Sequence, residues 1–115
     1  AVYERTNAMH VALPEPVDLV TIDVGWTQQR HVLPAAAKLL KPGAKILSLV
    51  KPQYEAGEEE REDGVVPEQN LDPVLARVRM HIDAAGLAIL GEVRSPILGG
   101  GGNVEYLFLL AAKQP

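Results

Sequence analysis

The sequence predicts an α/β layered fold with a mostly parallel sheet and a carboxyl-terminal antiparallel hairpin. Three observations point there. Short β-branched apolar runs alternate with segments whose apolar residues recur at helical spacing. Glycine and proline punctuate the joins, and the last connection holds no helical segment. Parallel neighbours need a crossover of a dozen or more residues, so the final two strands are expected to pair as a hairpin.

Each element has its own signal. Asp18 to Val24 is a short apolar run reached through Leu13-Pro14-Glu15-Pro16, whose prolines block a helix, and it reads as a buried strand. From Arg30 to Leu40, Val32, Leu33, Ala36, Leu39 and Leu40 fall at helical spacing, and Lys41-Pro42-Gly43 is expected to stop that helix. Lys45 to Val50 is the next strand. Glu55 to Gln69 reads as a long surface loop, too polar and glycine-punctuated for a core element, and loops of that length in a compact domain tend to carry function. Asn70 or Asp72 is expected to cap a helix running to Ala85, with Leu71, Val74, Leu75, Val78 and Ile82 on one face and Gly86 ending it. Leu87 to Val93 and Val104 to Ala112 are the closing strands, joined through Ser95-Pro96 and the flexible glycines Gly99 to Gly102.

Composition bounds the function. With 115 residues, 47% hydrophobic and 23% charged, the chain fits a single domain. The absence of cysteine excludes disulfides, thiolate zinc sites, iron–sulfur clusters and a cysteine nucleophile. No apolar run reaches the roughly 18 to 20 residues a bilayer span needs, so a cytoplasmic protein without membrane contact is expected. The net charge of −4 is local: Glu55 to Asp63 holds six acids and one base, which reads as a solvated face. His10, His31 and His81 lack ligand spacing, so no metal is expected.

In open α/β sheets ligands sit beyond the carboxyl ends of the parallel strands, which brings Asp23 and Lys51 to the crevice. A final strand running the opposite way starts at that same edge and adds its first charged residue, Glu105. Taken singly, each has an ordinary structural role open to it: Asp23 could cap backbone amides, Lys51 could snorkel, and Glu105 could lie on a solvated edge strand. Their convergence favours a site. Trp26, just past the first strand, could stack on a base or simply pack. Gly99 to Gly102 lacks the Lys-Ser/Thr and following helix of a phosphate loop.

The strings Lys51-Pro52-Gln53-Tyr54-Glu55-Ala56-Gly57, Gly64-Val65-Val66, Ser95-Pro96-Ile97 and Gly102-Asn103-Val104-Glu105-Tyr106-Leu107, with Asp18–Val24 and Glu4-Arg5-Thr6-Asn7, run through nearly the full chain. On these motifs the chain resembles the carboxyl-terminal part of the TlyA (hemolysin A-like) branch of FtsJ-like RNA methyltransferases. The resemblance implies part of a Rossmann-like fold and S-adenosylmethionine-dependent methylation of a ribose 2′-hydroxyl in ribosomal RNA. It also implies a Lys-Asp-Lys-Glu tetrad, with Asp23, Lys51 and Glu105 matching its last three members and Asp23 also touching the cofactor. Arg5, Gln53 and Asn103 are the implied substrate contacts. The first lysine, the glycine-rich cofactor loop and any RNA-binding module are expected upstream of Ala1, so residues 1–115 read as half a methyltransferase domain, inactive alone. An exposed strand edge is then expected to pair with a second copy. The chain departs from the family at Gly25-Trp26-Thr27, Glu62-Asp63 and Pro67, where relatives carry Ser-Phe, Gly-Lys and arginine. Acids in place of cations would weaken RNA binding, which suggests the alternative of an inactive RNA- or ribosome-binding module.

Overall fold

The computed structural model describes residues 15–113. Its elements are β1 (Val17–Ile22), α1 (Gln29–Ala37), β2 (Leu40–Val50), α2 (Pro52–Glu55), α3 (Glu68–Ala84), β3 (Leu87–Arg94) and β4 (Tyr106–Ala112), with single 3₁₀ turns at Glu58–Glu60 and Gly100–Gly102.

The strands form one sheet in the order β1-β2-β4-β3. β1 and β2 pair in parallel, and β4 is antiparallel to both β2 and β3. Three strands therefore point one way, as expected, but only one of the three pairings is parallel. The hairpin partner β4 does not lie at an end of the sheet; it inserts between β2 and β3. Its sequence suits that place. Phe108 and Leu110 are fully buried towards the helices, and Leu107 and Leu109 are half-buried on the other face, the two-sided apolar pattern of an interior strand.

Both long helices lie on one face, α1 over β2 and α3 over β3, and touch each other. Val32, Leu33 and Ala36 of α1 meet Leu75, Val78 and Ile82 of α3 above Ile22, Ile46, Val50, Leu87, Phe108 and Leu110. These are the apolar positions that the helical and strand spacings assign inward. The opposite sheet face leaves Leu19, Leu47 and Val93 exposed.

Several boundaries differ from expectation. α1 stops at Ala37, because Leu39 and Leu40 are drawn into the sheet: the Leu39 carbonyl accepts the Val17 amide at 2.8 Å and Leu40 pairs with Val17. β2 consequently runs through Lys41-Pro42-Gly43. β1 ends at Ile22, so Asp23 and Val24 lie beyond it. α3 begins after Pro67; Asn70 and Asp72 are inside the helix, and the Asn70 side chain donates to the Glu60 carbonyl instead of capping. Gly86 ends α3 at φ +78°, a conformation that favours glycine.

The segment 55–69 is not the uniformly solvated loop its composition suggests. Ala56 and Val66 are buried with Leu71 and Val74 of α3 in a second small core, with Val104 packed against it. Asp63 (φ +51°) and Gly64 (φ +78°) turn the chain tightly between Glu62 and Val65, which bridge. Glu55 is buried, and Glu60 pairs with Arg77 while accepting the Gly57 amide. The acids at 55 and 60 thus have partners that local composition cannot reveal. Nor are Gly99 to Gly102 free of regular structure, since they form a turn held by Asn103.

Candidate active site

The carboxyl ends of β1 and β2 and the amino end of β4 share one edge of the sheet, with Val50 opposite Tyr106 and Tyr106 opposite Arg94. Asp23 leaves β1 directly onto this edge. Lys51 leaves β2 beside it and occupies the position before the first turn of α2. The Lys51 Nζ lies 2.6 Å from Asp23 Oδ1; the lysine side chain is 18% exposed and the aspartate 68%. The ion pair therefore holds its cation inside and turns its anion towards solvent.

Glu105 precedes β4 by one residue, so it sits in the turn leading into the strand. Its carbonyl accepts the Ser95 amide at 2.8 Å, closing the β3–β4 connection, and its carboxylate lies so tightly over Gly99 that a side chain there would collide with it. The hydrogen bond it donates to Asp23 holds the Lys51 ammonium above the usual lysine range, against the opposing effect of burial, and the charges of Asp23 and Glu105 add to the rise. Lys51 at rest is thus firmly protonated.

Two aromatic rings stand on the segments that follow Asp23 and Lys51. Trp26, in the loop between β1 and α1, is 89% exposed and takes φ +63°. Its ring centroid is 5.1 Å from that of Tyr54 in α2, tilted by 43°. A cleft of ≈ 510 Å³ on one side is lined by Trp26, Tyr54, Gln28, Arg30, His31 and Arg61. Aromatic faces beside guanidinium groups are what a splayed-out base and its phosphate require. Packing against the core does not account for Trp26.

The remaining candidates have distinct placements. Gln53 is buried in α2, and its Oε1 has no hydrogen-bond partner. Asn103 is buried and holds the surrounding loops: its Oδ1 accepts the Val66 amide at 3.1 Å, and its Nδ2 donates to the carbonyls of Gly64 (3.0 Å) and Gly100 (2.9 Å). Its amide is engaged within the chain. Arg5 and His10 lie outside the described residues. Among the described residues no group of histidines and carboxylates could hold a metal, and no helix is long and apolar enough to cross a membrane. His81 lines a separate cleft with Arg30, Arg77 and Glu55; burial and the nearby arginines lower it, so it is neutral at pH 7.

Sequence reading missed a buried polar chain behind the site. Glu55 Oε1 accepts the Gln29 amide at 2.8 Å, and Gln29 Oε1 accepts the Ser48 hydroxyl at 2.7 Å. Burial pushes the Glu55 carboxyl up, while the Gln29 amide and the charges of Arg30 and Arg77 pull the other way. The signal was available in part: Glu55 stands four residues after Lys51, one helical turn away.

No family model matches the chain. Curated relatives do. It is 40% identical over 119 residues to "Putative rRNA methyltransferase YqxC" of Bacillus subtilis, which spans 95% of this chain and 41% of that protein. It is 37% identical over 115 residues to the 16S/23S rRNA (cytidine-2′-O)-methyltransferase TlyA of Mycobacterium tuberculosis, spanning 95% of this chain and 42% of the relative. A solved structure named "Putative hemolysin" from Streptococcus thermophilus superposes with a TM-score of 0.86 at 35% identity, over 96% of this chain and 42% of that one. More distant S-adenosylmethionine-dependent methyltransferases, such as one from Clostridium acetobutylicum (TM-score 0.57, 11% identity, 95% of this chain and 63% of that one), share the fold. The likeness to TlyA-type rRNA methyltransferases read from the motifs is thus found across nearly the whole chain, and the fold is of the methyltransferase type. The chain spans about two fifths of the length of the curated relatives it matches.

Proposed function

From this likeness we propose that the chain carries the catalytic edge of an S-adenosylmethionine-dependent methyltransferase acting on a ribose 2′-hydroxyl of ribosomal RNA. The observation that carries the reading is the Lys51–Asp23 ion pair at the carboxyl edge of a methyltransferase-type sheet, with Glu105 acting on the same lysine. In this reading residues 1–115 supply the carboxyl-terminal half of the methyltransferase domain, and the cofactor's glycine-rich loop and the tetrad's first lysine come from elsewhere in the protein.

The donor set suits a sulfonium cofactor, because the Asp23 and Glu105 carboxylates set negative charge at the edge where a cation would rest. When bound, the cofactor supplies an electrophilic methyl group. Asp23 is the residue of this chain that would hold it. Lys51 orients the ribose hydroxyl through its half-buried ammonium. A cationic group held at this edge would lower Lys51 from its raised resting state, and its neutral amine would then be the group that takes the 2′-hydroxyl proton when the methyl leaves the sulfonium sulfur for that oxygen. Asp23 and Glu105 keep the lysine in place before and after. Trp26 and Tyr54 offer the stacking shelf for the target base, with Arg30 and Arg61 for its phosphates. Gln53 contributes a buried amide beside that shelf, and Asn103 acts through the loops it holds.

The test is Lys51→Ala in the intact protein. Methyl transfer to ribosomal RNA is expected to fall at least about 100-fold, the lower end of what a proton-handling group contributes, while calorimetry shows S-adenosylmethionine affinity nearly unchanged. Retained turnover would remove Lys51 from the role. RNA binding by the unaltered protein without any transfer would favour the inactive binding module.

A further inference from the structure

The loop from Asp23 to Gln28 carries both Asp23 and the exposed Trp26, and its backbone is strained at Trp26, where φ is +63°. A non-glycine residue held in that conformation needs surroundings that over-determine it. The surroundings come from one short segment. Asp23 pairs with Lys51, Trp26 lies against Tyr54, and the amide of Gln29 donates to Glu55. On the loop side the three contacts fall at residues 23, 26 and 29. On the other side they fall at 51, 54 and 55, the i, i+3 and i+4 positions that line one face of a helical turn. One face of the Lys51–Glu55 turn therefore grips the loop at its start, middle and end.

We infer that Glu55 is a positioning residue of the site, its buried carboxylate anchoring the far end of the loop through the first amide of α1 and so fixing where Trp26 and Asp23 stand. The anchor is chemically apt. The Gln29 amide is among those at the start of α1 that have no partner within the helix, and a carboxylate accepts it with the helix dipole in its favour. Gln29 is itself immobilised, since its buried side chain accepts the Ser48 hydroxyl three residues before Lys51 on β2. The loop's two ends are thus referred to the same strand exit. Neither Glu55 nor Gln29 touches the reacting atoms in this account; both act through the loop.

The kinetic part of the test rests on the proposed methyl transfer, whereas the spectroscopic part does not. Trp26 is the sole tryptophan of the chain, so its fluorescence reports the loop alone. Glu55→Gln keeps a carbonyl oxygen to accept the Gln29 amide, and Glu55→Met fills the same space without an acceptor. In the full chain, Glu55→Met is expected to lower the steady-state anisotropy of Trp26 while Glu55→Gln holds it at the starting value, with far-UV circular dichroism unchanged in both. In the intact protein Glu55→Met should also reduce kcat by about tenfold or more, as misplacement of a loop bearing reacting groups does, and Glu55→Gln should restore most of it. Equal anisotropy in both variants would overturn the inference, whether both match the starting protein or both fall. Should Glu55→Met fail to fold, hydrogen exchange of the Gln29 amide in the unaltered chain decides: protection of about tenfold or more over an exposed amide supports the anchor, and free exchange refutes it. A mobile Trp26 in Glu55→Met from a protein that transfers no methyl group would sink the functional reading and leave the positioning role standing.

Discussion

Lys51 shows how one side chain reads its environment. Burial alone would favour the neutral amine, but the hydrogen bond to Asp23 outweighs it, so the ammonium persists. Glu55 is the opposite case, a carboxyl whose desolvation outweighs the favourable Gln29 amide and the two arginines. Its folded value lies above the ordinary 4.5, so its contribution to stability is complete below about that pH and declines as pH rises through the folded value. Glu55→Gln, which keeps the acceptor and removes the charge, should therefore flatten the stability curve above the ordinary carboxylate range, as followed by urea unfolding at several pH values. A curve of unchanged slope would show that Glu55 is not the titrating group. At this scale the placement of Asp23, Lys51 and Glu105 at one sheet edge was legible in the sequence, because strand ends and charge types are local signals. Gln29 and Ser48 were not, since a polar residue's burial depends on which distant group meets it.

Among the elements, the α2 turn and the segment following it depend on contacts far apart in sequence. Asn103 joins residues 64, 66 and 100 with three hydrogen bonds, and the Arg77–Glu60 pair ties α3 to the turn at Glu58–Glu60. Removing a buried amide leaves its partners unsatisfied at about 1–3 kcal/mol each. Asn103→Ala is accordingly expected to lower stability by at least about 2 kcal/mol and to open the bond after Arg61 to limited trypsin digestion before any site in α3. Cleavage in α3 first would contradict that role. The long helix and the strands were readable because their periodicity spans many residues. The ordered path of 55–69 was hidden by its acidic composition, which reports solvation and says nothing of Ala56 and Val66 meeting α3.

The described residues form a four-stranded sheet covered by helices on one face. Among the described residues β1 pairs with β2 alone, and Leu19, 57% exposed, lies on that outer strand. An apolar outer strand invites pairing with another chain. Light scattering should therefore find a concentration-dependent dimer of the 115-residue chain, returned to monomer by Leu19→Lys; a monodisperse monomer would end that expectation. The position of β4 inside the sheet is the feature of topology that order along the chain does not reveal, because a hairpin can close on either side of its partner. Glu105 reaches the Asp23–Lys51 edge in either case, since β4 starts there.

Transfer of a methyl group to a ribose hydroxyl of ribosomal RNA is read out by nucleoside mass spectrometry. Unmodified ribosomal RNA is incubated with the intact protein and S-adenosylmethionine carrying a deuterated methyl group, then digested. A labelled 2′-O-methyl nucleoside is expected, and it should disappear with Lys51→Ala. Label on a base, or no label from a protein that binds the RNA, would contradict it.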